Sequence, residues 1–197
     1  IFTFKELHFF GTIWTNHLES TLDRKHQVDL LSKLLCIEKN GLFKQDNISD
    51  FNDRASAVLE NTNVTSPLRI YELFLAEITS DNKCFIACDQ TPKNMYYLNE
   101  ILSYFPNAKV INMVRDQRDV LLSQKNKWKR RFLGASAIPL SEAIRSYINY
   151  HPILTAKIWN SSLYQTSKFR SNSRVKIIKF EDLLVDSRTQ VYEICKF

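Results

Sequence analysis

Two constellations in the chain have the residue types and spacing for chemistry on a phosphate-bearing substrate. The first is Val114-Arg115-Asp116-Gln117-Arg118-Asp119-Val120-Leu121-Leu122-Ser123. Arg115 stands where an apolar, strand-like run ends. A guanidinium there can fork onto phosphate oxygens and does not lose its charge. At a rise of about 1.5 Å per helical residue, Ser123 falls about two turns into the helix that follows. A hydroxyl there can reach the same phosphate from the side. Asp116 or Asp119 can cap the helix start. Spacing alone leaves the alternative equally open, namely a surface arginine and a helical serine with no ligand.

The second constellation is Lys5-Glu6-Leu7-His8-Phe9-Phe10. Group transfer to an oxygen or nitrogen needs a base for the acceptor proton, and it needs positive charge or hydrogen-bond donors around the transferred group. Read as the end of a strand, Glu6 and His8 alternate with Leu7 and point to the same side. They form a carboxylate–imidazole pair suited to a base and its orienting partner. The plainer alternative is a strand-end glutamate beside a partly buried histidine.

Other groups point to less. Lys125, Lys127, Lys129, Arg130 and Arg131 are interleaved with Trp128 and Phe132. They suit an acidic sugar better than a nucleic acid, or simply a solvated helix end whose cations complement the C-terminal dipole. His17, His26 and His151 are isolated and read as structural. Cys36, Cys84, Cys88 and Cys195 show neither Cys-x-x-Cys spacing nor histidines at zinc-site distances, so no metal is expected and buried thiols are. Asn47-Ile-Ser49, Asn63-Val-Thr65 and Asn160-Ser-Ser162 match the glycosylation acceptor triplet, a pattern that also arises by chance.

The elements that must position these residues follow from periodicity. Strands are expected over Ile1–Leu7, Cys84–Cys88, Lys109–Val114 and Val175–Phe180. Helices are expected over about Leu18–Cys36, from Ser66-Pro67 through Ile78, and over Lys93–Tyr104, Asp119–Arg131 and Ser141–Ser167, with a last one from Ser187. Lys39–Asp53 reads as loop. Short apolar strands alternating with amphipathic helices imply an α/β fold, a parallel sheet flanked by helices. Ligands bind beyond the carboxyl ends of such strands. That rule selects Glu6–His8, Asp89–Pro92, Arg115–Asp119 and Glu181-Asp182.

Size and charge are consistent with this. The 197 residues suit one domain with a real core, and the formal charge of +6 favours an anionic partner. No apolar run reaches the ~20 residues that span a bilayer, and residues 1–10 do not read as a signal peptide. Only three glycines are present, few for a nucleotide-binding fold.

Taken together, these segments resemble the sulfotransferases that use 3′-phosphoadenosine 5′-phosphosulfate (PAPS). Val-Arg-Asp-x-Arg-Asp-Val-x-x-Ser is similar to the family's 3′-phosphate-binding element, which implies that Arg115 and Ser123 grip that phosphate. Where the family often has proline, this chain has Gln117. Asp89-Gln90-Thr91-Pro92-Lys93 resembles its Glu-Lys-Thr-Pro step, Pro106-Asn107-Ala108-Lys109-Val110-Ile111 its approach to the arginine strand, and Lys179-Phe180-Glu181-Asp182-Leu183-Leu184-Val185-Asp186 its Tyr-Glu-Asp-Leu segment. Lys-Glu-x-His-Phe-Phe is similar to the segment after the phosphate loop in the glycosaminoglycan-type members, which implies Glu6 as base and His8 as its assistant. Lys5, Gln90, Thr91, Lys93, Lys127 and Arg130 are further candidates for the active site or substrate. Gln90 replaces a lysine and brings no positive charge.

The resemblance implies a partial P-loop nucleotide-hydrolase-like sulfotransferase fold, a single domain over residues 1–197 truncated at both ends. The family's glycine-rich 5′-phosphosulfate loop and its C-terminal nucleotide-closing loop are expected outside the chain. Poor or no PAPS binding and no activity by this chain alone, and its few glycines, would follow. The implied reaction moves a sulfuryl group from PAPS to a hydroxyl or amine acceptor, with a carbohydrate, acidic in character, as the expected class and no nucleic acid partner. A phosphotransferase on the related fold and a catalytically inactive polyanion- or nucleotide-binding paralogue are the alternatives. The expected compartment is the cytoplasm for a bacterial protein and the Golgi lumen for a eukaryotic one; the sequence does not choose, nor does it fix the oligomeric state.

Overall fold

In the computed structural model, residues 1–4, 6–15 and 21–197 are described. They divide into two compact units, Ile1–Asn94 and Met95–Phe197. Each contains one parallel strand pair joined by a helical crossover, as parallel strands require.

In the first unit, β1 (Phe2–Phe4) pairs with β2 (Ala87–Asp89), Phe4 lying opposite Asp89. Between them run α1 (Arg24–Asn40), a 3₁₀ turn at Ile48–Phe51, α2 (Asn52–Leu59) and α3 (Pro67–Asp81). Asp23 starts α1 by accepting the His26 backbone N–H at 2.9 Å. Gly41 ends α1 at φ 90°, a conformation that side chains resist. The stripe Gln27, Leu31, Leu34 and Leu35 buries one face of α1. Ser66 caps α3, accepting from the Arg69 backbone N–H, and Pro67 occupies the first turn, where no N–H is missed. Arg54 of α2 reaches Glu77 of α3 at 2.8 Å and also pairs with Asp81. Phe4, Leu7, Phe9, Phe10, Trp14, Leu59, Ile70 and Phe74 complete the core. Each such side chain, fully buried, contributes roughly 1.5–3 kcal/mol of transfer free energy.

In the second unit, a 3₁₀ segment (Pro92–Tyr97, begun in the first) leads into α4 (Leu98–Tyr104). β3 (Val110–Val114) pairs along its whole length with β4 (Val175–Lys179). The crossover holds α5 (Gln117–Lys125), a 3₁₀ segment at Lys127–Leu133, α6 (Leu140–Ile148) and α7 (Pro152–Ser167). α8 (Phe180–Val185) and α9 (Ser187–Lys196) follow β4. Thr166, buried on α7, accepts from Asn112 Nδ2 at 2.6 Å and so fixes α7 against β3.

The parallel α/β reading holds, but several expected elements are redrawn. The first strand stops at Phe4 instead of Leu7. The second is shifted to Ala87–Asp89, because Phe85 and Ile86 are exposed rather than buried. The loop expected over 39–53 contains the last residues of α1, a 3₁₀ turn and the start of α2. The helices expected over 93–104 and 119–131 are each part 3₁₀. The one expected over 141–167 is broken at Pro152, whose ring disfavours helix at His151. Only Cys36 is a buried thiol; Cys88 and Cys195 are exposed. No described helix is long and apolar enough to cross a membrane.

Candidate functional site

The carboxyl end of β3 builds the best-defined candidate site. Asp116 caps α5, its Oδ1 accepting from the Arg118 backbone N–H at 2.8 Å. The same carboxylate takes the Arg118 side chain in two bonds, Nε to Oδ1 at 3.0 Å and Nη2 to Oδ2 at 2.9 Å. The Arg118 guanidinium, with the helix N–H, holds the Asp116 carboxyl down at about 2. Arg115 reaches forward along α5 to Asp119, Nη2 to Oδ2 at 3.2 Å. Ser123 is one turn beyond Asp119, and residues four apart share a helix face. The Arg115 head group and Ser123 therefore address one face of α5, as a shared phosphate would require.

Arg115 is also supported from below. The Phe180 ring lies 4.9 Å from its guanidinium carbon. Trp159 Nε1 of α7 donates to the Arg115 carbonyl at 3.1 Å, and Glu181 Oε1 of α8 accepts the Asp116 backbone N–H at 2.9 Å. The sequence points to Glu181 by its place after a strand. It does not point to Trp159, because nothing local ties a residue of α7 to the end of β3.

In the first unit, Glu6 and His8 lie just beyond β1. They meet, His8 Nε2 to Glu6 Oε2 at 3.3 Å, with Glu6 half exposed and His8 largely covered. The pleat expected to align them is absent: the strand has ended, and His8 adopts φ 53°. A bend brings them together instead. It turns Leu7, Phe9 and Phe10 into the core. A non-glycine residue in the left-handed region is uncommon, and histidine is among those that tolerate it. His8 Nδ1 is buried and has no hydrogen-bond partner among the described residues. Lys5 lies outside the described residues, as does His17.

The segment after β2 closes on Asp89. Its carboxylate accepts from Tyr71 Oη at 2.7 Å, Thr91 Oγ1 at 2.6 Å and Asn94 Nδ2 at 3.0 Å. Burial, with the Asp89 charge beside it, pushes the Tyr71 phenol well above its ordinary value. Tyr71 stacks on Phe9 with centroids 4.1 Å apart. Thr91 is thus engaged in holding the turn, whereas Gln90 and Lys93 are exposed.

Lys127 and Arg130 lie on the 3₁₀ segment after α5, both exposed. Trp128 of that segment meets Tyr147 and Phe132 edge-on. These rings, with Leu140, Ala143 and Ile144, line a cavity of about 300 Å³, and Lys129 Nζ stands 5.7 Å from the Trp128 ring centroid. His26 bonds the Asp23 cap and His151 caps α7, both structural as expected.

The residue pattern has a counterpart among known families. A model of the sulfotransferase family matches residues 15–197. No curated protein and no solved structure matches the chain.

Proposed function

The chain belongs to the sulfotransferase family, and from that premise we propose that it transfers a sulfuryl group from PAPS to a hydroxyl or amine of an acidic carbohydrate. The observation that carries this reading is the turn from β3 into α5, where Arg115 bonds Asp119 one helical turn before Ser123. In the proposed reaction Arg115 and Ser123 hold the 3′-phosphate. Glu6 takes the acceptor proton as the acceptor oxygen or nitrogen forms its bond to sulfur. The bond from sulfur to the 5′-phosphate oxygen breaks, and adenosine 3′,5′-bisphosphate leaves. His8, 3.3 Å from Glu6, orients the carboxylate.

The acceptor class rests on the exposed cations Lys125, Lys127, Lys129 and Arg130 beside the aromatic cavity of Trp128, Phe132 and Tyr147. Carboxylates or sulfates would meet the cations, and sugar faces the rings.

The test is transfer of labelled sulfuryl from PAPS to desulfated glycosaminoglycan, measured for the protein in a form that also carries the glycine-rich 5′-phosphosulfate loop, with Glu6 intact and as Glu6→Gln. Transfer by the protein, reduced about 10²- to 10⁴-fold by the substitution, is expected for a lost general base. Full activity in Glu6→Gln removes Glu6 as base. Transfer of phosphate from ATP in place of sulfuryl from PAPS would replace the reading with a phosphotransferase.

A further inference from the structure

The Arg115 carbonyl and the Asp116 N–H belong to one peptide unit. Both edges of that unit are held by side chains from remote elements. Trp159 Nε1–H donates to the carbonyl at 3.1 Å, and Glu181 Oε1 accepts the N–H at 2.9 Å. β3 ends at Val114 and α5 begins at Gln117. This peptide therefore lies outside both the ladder and the helix, and neither supplies its hydrogen bonds.

We propose that Trp159 and Glu181 are positioning residues that clamp the 115–116 peptide plane and so set the direction in which Arg115 meets the nucleotide 3′-phosphate. The inference rests on the reading of Arg115 given above. A peptide between a strand and a helix can turn about the flanking ψ and φ. A turn about one that the other does not offset redirects the chain from Arg115 into α5, and so changes how the Arg115 side chain stands relative to Asp116, Ser123 and the start of the helix. Fixing one edge leaves the plane free to rock about that bond, while fixing both edges does not. Glu181 follows directly on Phe180, whose ring underlies the Arg115 guanidinium at 4.9 Å. The start of α8 thus steadies the arginine at its backbone through Glu181 and at its head through Phe180. The two clamp groups are also chemically distinct. The indole N–H can only donate and the carboxylate can only accept, so each fits just one edge of the peptide.

The readout is the ratio of affinities for adenosine 3′,5′-bisphosphate over adenosine 5′-monophosphate, measured by calorimetry on the whole chain. Loss of fold lowers both affinities. Misdirection of Arg115 lowers the ratio. Trp159→Phe, which keeps an aromatic ring and removes the N–H, and Glu181→Ala are each expected to lower the ratio roughly tenfold. Glu181→Gln retains an accepting oxygen and should restore it to near the parent value. Arg115→Ala serves as the reference and should abolish the preference. A preference lost in Arg115→Ala but unchanged in Trp159→Phe and Glu181→Ala overturns the clamp. So does a Glu181→Gln variant as poor as Glu181→Ala. A parent chain with no preference for the 3′-phosphate, or one that survives Arg115→Ala, overturns the underlying reading of Arg115 and the clamp's purpose with it.

Discussion

Asp116 gathers more of the site's order than its exposure suggests. Its carboxylate starts α5, pairs with Arg118, and sits on the peptide that Trp159 and Glu181 hold. Its carboxyl titrates at about 2, below the ordinary 3.8, chiefly because Arg118 bonds the charged form. A depressed carboxyl contributes stability that is fully present above the ordinary value and lost as pH falls through the folded one. The helix cap should therefore persist as pH drops to about 4 and fail between about 4 and 2. An NMR titration of the Asp116 carboxyl carbon should show its midpoint near 2, and Arg118→Ala should return it toward 3.8. A midpoint unmoved by Arg118→Ala would mean that the backbone bond alone sets it. The sequence pattern implied that Glu6 and His8 meet, and they do, but through a bend at His8 and not through strand alternation. Period-two reasoning cannot see where a strand stops when the next residues are still apolar.

Caps decide where several helices begin. Ser66 accepts the Arg69 N–H at the start of α3, the helix that carries Tyr71 and Phe74 into the core. Ser66→Ala should cost about 1 kcal/mol, seen as a lower denaturant midpoint with an unchanged slope, while Ser66→Asp should recover most of it. The cap was legible from Ser-Pro before an apolar period, and so were β3, β4 and α9. Less was legible elsewhere. Asn47, Asp50 and Asp53 resemble loop composition because the residues that favour turns also favour helix starts, and α2 begins among them. Cys84-Phe85-Ile86 reads as buried strand by residue type, yet Phe85 is almost fully exposed; hydrophobicity ranks side chains without saying which of them find cover. The break at Pro152 was available in the sequence but was outweighed by apolar periodicity on both sides. The clamp from α7 and α8 was not available, since it depends on contacts far apart in the chain.

At the scale of the molecule the chain carries a formal charge of +6. Five of its cations fall within residues 125–131, with no acid among them. An acidic acceptor should therefore be drawn in partly by long-range attraction, which salt screens: the Debye length shrinks from about 10 Å at 0.1 M to about 3 Å at 1 M. KM for a polyanionic acceptor should rise several-fold over that range, whereas KM for a neutral sugar acceptor should stay nearly level. Equal salt dependence for both would locate the effect in the nucleotide instead. The two compact units bring different chemistry, a carboxylate–imidazole pair and a half-buried Asp89 hub in Ile1–Asn94, and the Arg115 turn in Met95–Phe197. The order of these landmarks along the chain made the family legible even where single elements were misread.

The contact between Arg115 and Asp119 has a kinetic side. The guanidinium does not wait bare in water; it rests against a carboxylate in the first turn of the helix that follows, at 3.2 Å. Exposed pairs spaced this way along a helix are worth only about 0.3–0.5 kcal/mol, so an arriving phosphate can exchange for Asp119 with little resistance. On the proposed reading of Arg115 the exchange would run backwards on departure, Asp119 re-engaging the arginine as the spent nucleotide let go. A built-in competitor of this kind would trade a small part of grip for faster turnover, an advantage to any transferase whose product kept the phosphate by which its donor was held.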